Sequence, residues 1–457
     1  MAGERHSRFA GAGLTGITRP TMPNPEPPQG LARRPFAIIF GVSLATALGN
    51  TGLISVLPAI GRSIGIPDPM VAAIFSLSAV LWAVSSPWWA RASDRYGRKP
   101  LMLVGLSGFM VSMFMCGLVV SAGLRHMAAP IVIFVLFLLA RSLFGLFGAA
   151  SNPATQAYVA ERTPPEGRTQ AMASLAGAFG LGTVIGPFLA PLFIYPVIGL
   201  AGPLFTFALI AAAMLFVVWR YLPETPVSAE ARRPRKPVVA GAPKEKPMWR
   251  DPRVTPFLLY GFIVATCQTA QAQTLGFLII DKLGMSPTQA QYFIAIAMMF
   301  GAVAGLLAQW GLIRMFQMTP RQLLRWGVAV AALGNLVVAL APDYYIVVAG
   351  YAISSLGFGF ARPGFTAGSS IAVDMDEQAR VAGAIAAVNG INVVLAPLFV
   401  WLYQHVGPAP FLLNAVLMGA MLVYAFRNRQ LRNADPEPAT RAATAIATLE
   451  KRDEGGS

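Results

Sequence analysis

The chain has 457 residues, of which 55% are hydrophobic and 12% are charged, and its formal net charge is +15. Soluble domains carry about 25% charged residues, so this composition excludes an ordinary water-soluble fold. A positive net charge would suit a nucleic acid. The basic residues, however, stand between long apolar runs rather than on one face of a domain, and this excludes nucleic acid as the expected partner.

Twelve apolar runs are each long enough to cross a bilayer core, which needs about 20 mostly apolar residues per helix. Phe36 opens the first run, and the preceding segment lacks the apolar core of a signal peptide. We therefore predict an all-α membrane protein embedded in the lipid bilayer. The predicted spans are 36–58, 70–90, 100–122, 130–158, 170–195, 200–222, 254–280, 287–313, 322–341, 344–370, 380–404 and 409–427.

The spans divide into two sets of six around a Pro-rich segment that contains the basic clusters ARRPRKP and KEKP. Weak repetition supports this division, since AYVAERTPPEGR follows span four and SIAVDMDEQAR follows span ten. Repeated halves around a central site are common among transporters, and the segment between them is typical of a flexible linker. The predicted divisions are a disordered tail at 1–35, bundles at 36–222 and 254–427, a cytosolic linker at 223–253 and a cytosolic tail at 428–457.

Lys and Arg are distributed unevenly between the two sides that alternating spans create. Arg62, Arg125 and Lys282 fall on one side, and Arg141 and Arg362 fall within spans. All the other basic residues fall on the opposite side, which the positive-inside rule assigns to the cytosol. We expect a multi-pass protein of the plasma (inner) membrane with both termini in the cytosol, and we expect it to be a monomer.

The loop after the second span reads WWARASDRYGRKPLML. It resembles the signature loop of the major facilitator superfamily, whose pattern is roughly G-x-L-x-D-R-x-G-R-K/R. The matched residues are Asp94, Arg95, Gly97, Arg98 and Lys99, whereas Ala90 and Ala92 stand where the family has Gly and Leu.

This resemblance implies a charge relay that latches the cytosolic side shut when the protein is open to the outside. Asp94 would bond Arg98, and Glu161 would join from the end of span four. The acid would also face the amino terminus of span eleven, where a helix favours an anion. The alternative is that these are ordinary charges of a cytosolic loop.

Spans four and five carry further resemblances. LLARSLFGLFGAA is similar to a second superfamily motif, and its Arg141 lies roughly 15 Å into the helix, where a charge usually faces the bundle interior. The alternative is an arginine that snorkels towards the surface. In span five, Gly182, Gly186 and Pro187 match the G-x-x-x-G-P core of an antiporter-type motif, although small-residue patterns also serve plain helix packing.

These motifs, with YLPET at 221–225, make the twelve-span drug-efflux group of the superfamily the nearest resemblance. That group includes tetracycline/proton antiporters. The resemblance implies two pseudo-symmetric six-helix bundles, alternating access and a role in drug resistance. It meets one difficulty, because every acid lies outside the middle of a span. In span one, Asn50 stands where several relatives have an acid.

Uncharged polar side chains within the spans are the remaining candidates for a substrate cavity. Gln268 and Gln271 in span seven lie three residues apart and share a helix face. Asn389 and Asn392 in span eleven repeat this spacing. Because amides in lipid are costly unless paired, both faces point either to a central cavity or to neighbouring helices. With Asn50, Arg141 and Arg362, they form the predicted cavity set.

Two function hypotheses follow. The first is secondary export of a small amphipathic molecule, with protons as the candidate coupling ion. The second is exchange or facilitated transport of an organic anion or other metabolite without protons, favoured by the two arginines in the spans. The sequence contains no phosphate-binding loop, catalytic constellation or metal-ligand spacing. We therefore expect neither an enzyme nor a cofactor.

Overall fold

A computed structural model describes residues 33–224, 248–374 and 377–435. Most of the predicted amino-terminal tail, linker and carboxyl-terminal tail lie outside these ranges. The near ends of these segments are described, and they are ordered. Met248 is buried just before the seventh span, and a short helix at Arg429–Arg432 follows the twelfth.

The described residues form an all-α fold with twelve helices long and apolar enough to cross a membrane. The first helix begins at Arg33 rather than at Phe36, and the bounds of the others lie close to the predicted spans. We number the helices α1 to α12. They are α1 Arg33–Ile64, α2 Asp68–Tyr96, α3 Arg98–Leu124, α4 Pro130–Arg162, α5 Gln170–Phe193, α6 Gly202–Tyr221, α7 Thr255–Leu283, α8 Pro287–Met315, α9 Pro320–Leu340, α10 Tyr344–Ile371, α11 Arg380–Val406 and α12 Ala409–Arg427.

Several helices change their winding within the span. In α5, Pro187 lies inside the helix, and the last turn at Ala190–Phe193 is a 3₁₀ turn. In α11, a 3₁₀ turn at Asn392–Leu395 precedes Pro397. Proline lacks the backbone N–H that an α-helix requires and clashes with the preceding turn, which explains why the winding changes at these points.

The helix ends lie on two faces of the molecule. We call the face that carries Arg33, Gly97 and Arg427 the tail face, and the face that carries Ile64 and Leu283 the far face. Cross-half contacts are found towards the far face, where Ser76 Oγ donates to the carbonyl of Val393 at 2.9 Å and Gln291 Nε2 donates to Ser55 Oγ at 3.4 Å.

The apolar core is shared by the two halves at the far face and divided at the tail face. The largest buried cluster joins the halves and includes Leu57 and Phe277. A second cluster, around Ile39 and Val218, belongs to the first half, and a third, around Phe257, belongs to the second half. The cleft between the halves is therefore closed at the far face and open towards the tail face.

Candidate transport cavity and gates

The tail face of the first half carries a compact charge cluster at the α2–α3 turn. Arg98 Nη1 donates to Asp94 Oδ1 at 2.7 Å and to Ser93 Oγ at 2.9 Å, and Arg98 Nη2 donates to Glu161 Oε1 at 2.5 Å. Gly97 has a φ of +98°, a conformation that favours glycine. It allows α3 to start directly after α2, so that Asp94 and Arg98 face each other. The structure therefore brings together the predicted relay of Asp94, Arg98 and Glu161.

Other predicted members of this loop take no part in the cluster. The guanidinium carbon of Arg95 lies 5.3 Å from the ring centroid of Tyr96, and Lys99 is half-buried. The Asp94 side chain is 55% exposed. Within the described ranges, no hydrogen bond joins it to α11. The contact with α11 that the resemblance implies stays a prediction for the conformation in which the tail face is closed.

The far face carries a second ionic network, which the sequence did not predict. Arg62 Nη1 donates to Asp281 Oδ1 at 2.7 Å, and Arg62 Nη2 donates to Asp68 Oδ2 at 2.6 Å. Tyr403 donates its hydroxyl hydrogen to Asp281 Oδ2 at 2.6 Å. This far-face network of Arg62, Asp68, Asp281 and Tyr403 joins α1 and α2 of one half to α7 and α11 of the other.

Arg141 of α4 is buried, with 1% of its surface exposed. It donates from Nη2 to Asn50 Oδ1 on α1. Its guanidinium carbon lies 4.3 Å from the ring centroid of Phe144 and 5.1 Å from that of Phe75. Its Nε and Nη1 atoms have no hydrogen-bond partner among the residues described. Aromatic faces attract a desolvated cation by about 2 kcal/mol, so Arg141 is held by neutral groups and keeps its charge.

The second half carries an arginine in a different setting. Arg362 of α10 is exposed. Its Nη2 donates to Asn389 Oδ1 on α11 at 3.0 Å, and its Nη1 lies 3.5 Å from Gln268 Oε1 on α7. Three predicted cavity residues from three helices thus meet at one point. Thr366, one turn along α10, is exposed as well, so this point borders the open part of the cleft.

The other amides of the predicted faces are placed differently. Gln271 is buried, and its Oε1 atom has no partner among the residues described. Asn392 is also buried, and it donates to Thr269 Oγ1 at 3.0 Å. Gln268 and Asn389 therefore reach Arg362, whereas Gln271 and Asn392 lie within the helix packing.

The glycines of the antiporter-type motif lie where α5 packs against α1. A Cβ atom on Gly182 would lie 2.6 Å from the carbonyl oxygen of Leu44. A Cβ atom on Gly186 would clash with the carbonyl oxygen of Leu48 and would lie 2.5 Å from the hydroxyl oxygen of Thr51. Only glycine permits so close an approach. Pro187 follows inside the same helix. The motif therefore sets the distance between two helices beside the cleft.

A family model described as Major Facilitator Superfamily matches residues 39–397, which is most of the chain. The chain belongs to the Major Facilitator Superfamily. It is accordingly a multi-pass membrane transporter of small molecules and not an enzyme, as the sequence predicted.

Relatives within the superfamily match along most of their length. The tetracycline resistance protein, class C, of Escherichia coli is 25% identical over 369 residues, which cover 79% of this chain and 88% of that protein. The tetracycline resistance protein, class H, of Pasteurella multocida is 23% identical over 414 residues, which cover 85% of this chain and 95% of that protein.

Solved structures share the fold at lower identity. The human organic anion transporter MFSD10 (TETRAN) aligns with a TM-score of 0.61 and 20% identity, over 87% of this chain and all of that one. An inward-facing, unoccupied bacterial homolog of the human lysosomal transporter Spinster aligns with a TM-score of 0.68 and 15% identity, over 90% of this chain and all of that one. The two-bundle major facilitator fold, which the sequence predicted, is confirmed.

Proposed function

We propose that the chain exports a small amphipathic molecule across the plasma (inner) membrane by alternating access, acting as a monomer. The observation that carries this proposal is the division of the core, which is shared at the far face and split at the tail face. The excess of basic residues favours the cytosol as the side of the tail face, and the cleft would then be open to the side from which an exporter loads. The likeness to tetracycline resistance proteins supports the outward direction.

Two ionic gates would alternate in this cycle. The far-face network holds the outside shut in the present conformation. When the halves rock, Arg62 keeps Asp68 in its own half, and Asp281 keeps Tyr403 in its own half. Neither charge is therefore left without a partner when the far face opens. The cluster of Asp94, Arg98 and Glu161 would then close the cytosolic side.

Protons are the proposed coupling ion, by analogy with the drug-efflux group that the motifs resemble. The acids nearest to the cleft lie at helix ends, with Asp68 and Asp281 at the far face and Asp94 and Glu161 at the tail face. A second candidate function is transport without protons. Arg141 and Arg362 favour it, because both are partnered by neutral groups inside the spans.

Inside-out membrane vesicles with and without the protein test the proposal. A panel of cationic, neutral and anionic fluorescent compounds would be offered, before and after a protonophore collapses the proton gradient. Uptake that depends on the protein and on the gradient supports export in exchange for protons. Uptake that depends on the protein alone favours the second candidate, and equal uptake by both kinds of vesicle contradicts export of amphipathic molecules.

A further inference from the structure

Two charged side chains lie more than two turns from either end of their described spans, and both are arginines. Arg141 belongs to the first half and Arg362 to the second. The other charged residues of the twelve helices lie within about two turns of an end, where a charged group can reach the membrane surface. Each half therefore carries one positive charge deep within its spans.

The guanidinium of Arg362 is oriented but not neutralised. Its two hydrogen-bond acceptors, Asn389 Oδ1 and Gln268 Oε1, are uncharged amide oxygens. A guanidinium offers five N–H donors in a planar fork that matches carboxylate, sulfonate and phosphate groups. Because the side chain is exposed beside the open cleft, donors that face away from the two amides are accessible to a ligand.

Arg141 would act on a ligand in the cleft through its electrostatic field rather than by direct contact. It is enclosed by Asn50 and two aromatic rings and is almost completely buried. No acid offsets its charge among the contacts described, and a charge in a low-dielectric interior acts over a longer distance than one in water. A cleft lined by one sign of charge concentrates ligands of the opposite sign. Both halves therefore favour an anion in the cleft.

We propose that the cleft binds organic anions, with Arg362 as the residue that bonds the acidic group and Gln268 and Asn389 as its positioning partners. This inference rests on the proposed export function and names its substrate class. A thermodynamic consequence follows, because the inside-negative membrane potential favours the exit of an anion. Each 100 mV supports about a 50-fold outward gradient of a singly charged anion. For such a substrate the membrane potential alone can drive export, so this inference follows the second candidate function, transport without protons.

Transport into proteoliposomes of the full-length purified protein tests this proposal. The probes share one aromatic scaffold and carry permanent charges: 2-naphthalenesulfonate, larger arylsulfonates, and trimethyl(naphthylmethyl)ammonium as the cationic counterpart. Potassium gradients with valinomycin set the potential, and a protonophore removes the proton gradient. We expect protein-dependent flux of the sulfonates towards the positive side, which a protonophore leaves unchanged while the potential is held.

Variants separate binding from folding. We expect Arg362→Gln to reduce sulfonate flux at least tenfold and Arg362→Lys to retain part of it, with both variants eluting as folded protein. Arg314→Gln removes an exposed arginine at the end of α8 and should leave the flux unchanged.

The outcomes that contradict the two proposals differ. Transport of the ammonium compound alone, or sulfonate flux that survives Arg362→Gln, overturns the anion site and leaves export intact. Sulfonate flux that does not depend on the membrane potential but requires a proton gradient overturns potential-driven export. No protein-dependent flux of any of these probes, together with no protein-dependent uptake of the neutral compounds in the vesicle panel, contradicts the export function itself.

Discussion

Arg62 of α1 and Asp281 of α7 form an ion pair of 2.7 Å that joins the two halves of the transporter at the far face. The side chains are 29% and 43% exposed, respectively. An ion pair so accessible to water contributes only about 0–1 kcal/mol. This value suits a gate that must open and close in every cycle, because a much stronger pair would trap one conformation.

Asp281→Asn should shift the protein towards the conformation that is open at the far face. The substitution removes the cross-half ion pair but retains a side chain that can accept a hydrogen bond from Tyr403. A loss of about 1 kcal/mol changes the conformational equilibrium about fivefold. Labelling of Ser55→Cys by a membrane-impermeant maleimide measures this, since Ser55 is buried beneath the gate and the native Cys116 and Cys267 are buried as well.

Asp343→Asn is the matched control for this measurement. Asp343 precedes α10 and caps it through a bond to the backbone N–H of Ile346, and asparagine caps helices as well as aspartate does. The control should leave the labelling rate unchanged. Equal labelling of the Asp281→Asn variant and the parent would mean that the pair does not hold the far face shut.

Asp94→Asn should reduce transport at least tenfold while leaving protein abundance nearly unchanged. In the present conformation, Arg98 keeps its bonds to Glu161 and Ser93 without the Asp94 carboxylate, so the fold retains its support. The proposed cytosolic latch, in contrast, loses the acid that would face α11. Transport and abundance are compared by flux and by quantitative immunoblot. A parallel loss of both would assign Asp94 a role in folding.

Asn50→Leu should destabilise the first half, because it removes the hydrogen bond that holds the Arg141 guanidinium in the described structure. Leaving a buried donor without its acceptor costs about 1–3 kcal/mol, and more when the donor is charged. Asn50→Asp should retain or raise the stability, because it supplies an acid to the same guanidinium. Thermal unfolding in detergent measures both. Unfolding temperatures in the opposite order would contradict the view that Arg141 keeps its charge.

Gly186→Ala should lower the unfolding temperature and reduce transport, because the added methyl group meets the backbone of α1 at Leu48. Overpacking of this kind costs about 1–3 kcal/mol. Gly419→Ala in α12 is the control, since a Cβ there would meet nothing within 4 Å and alanine is the better helix former by about 1 kcal/mol. Similar effects of the two substitutions would show that the α1–α5 approach is not tight.

The sequence predicted those features that leave a local or periodic signal. Apolar run length predicted the twelve spans, and the signature loop predicted the contact of Asp94 with Arg98. Because amides in a span need partners, the sequence placed Gln268 and Asn389 among the candidate cavity residues. The structure brings both of them to Arg362.

The far-face network was missed for a physical reason. Arg62 and Asp281 are 219 residues apart, and Asp68 and Tyr403 carry no motif. Their contact depends on how the two halves close against each other, which span length and charge asymmetry do not specify. The three-residue spacing also predicted that Gln271 and Gln268 share one environment. In the structure, neighbouring helices bury Gln271 and leave Gln268 partly exposed.

Distance measurement between spin labels on the two halves tests alternating access most directly. One pair would lie on the tail face, at Arg91 of α2 and Ala382 of α11, and the other on the far face, at Val197 and Val406, all of which are exposed. The resting protein should give a long tail-face distance and a short far-face distance. During transport, the first should shorten in the same population in which the second lengthens. Two distances that shorten together or lengthen together, or that both stay fixed while substrate moves, would contradict alternating access.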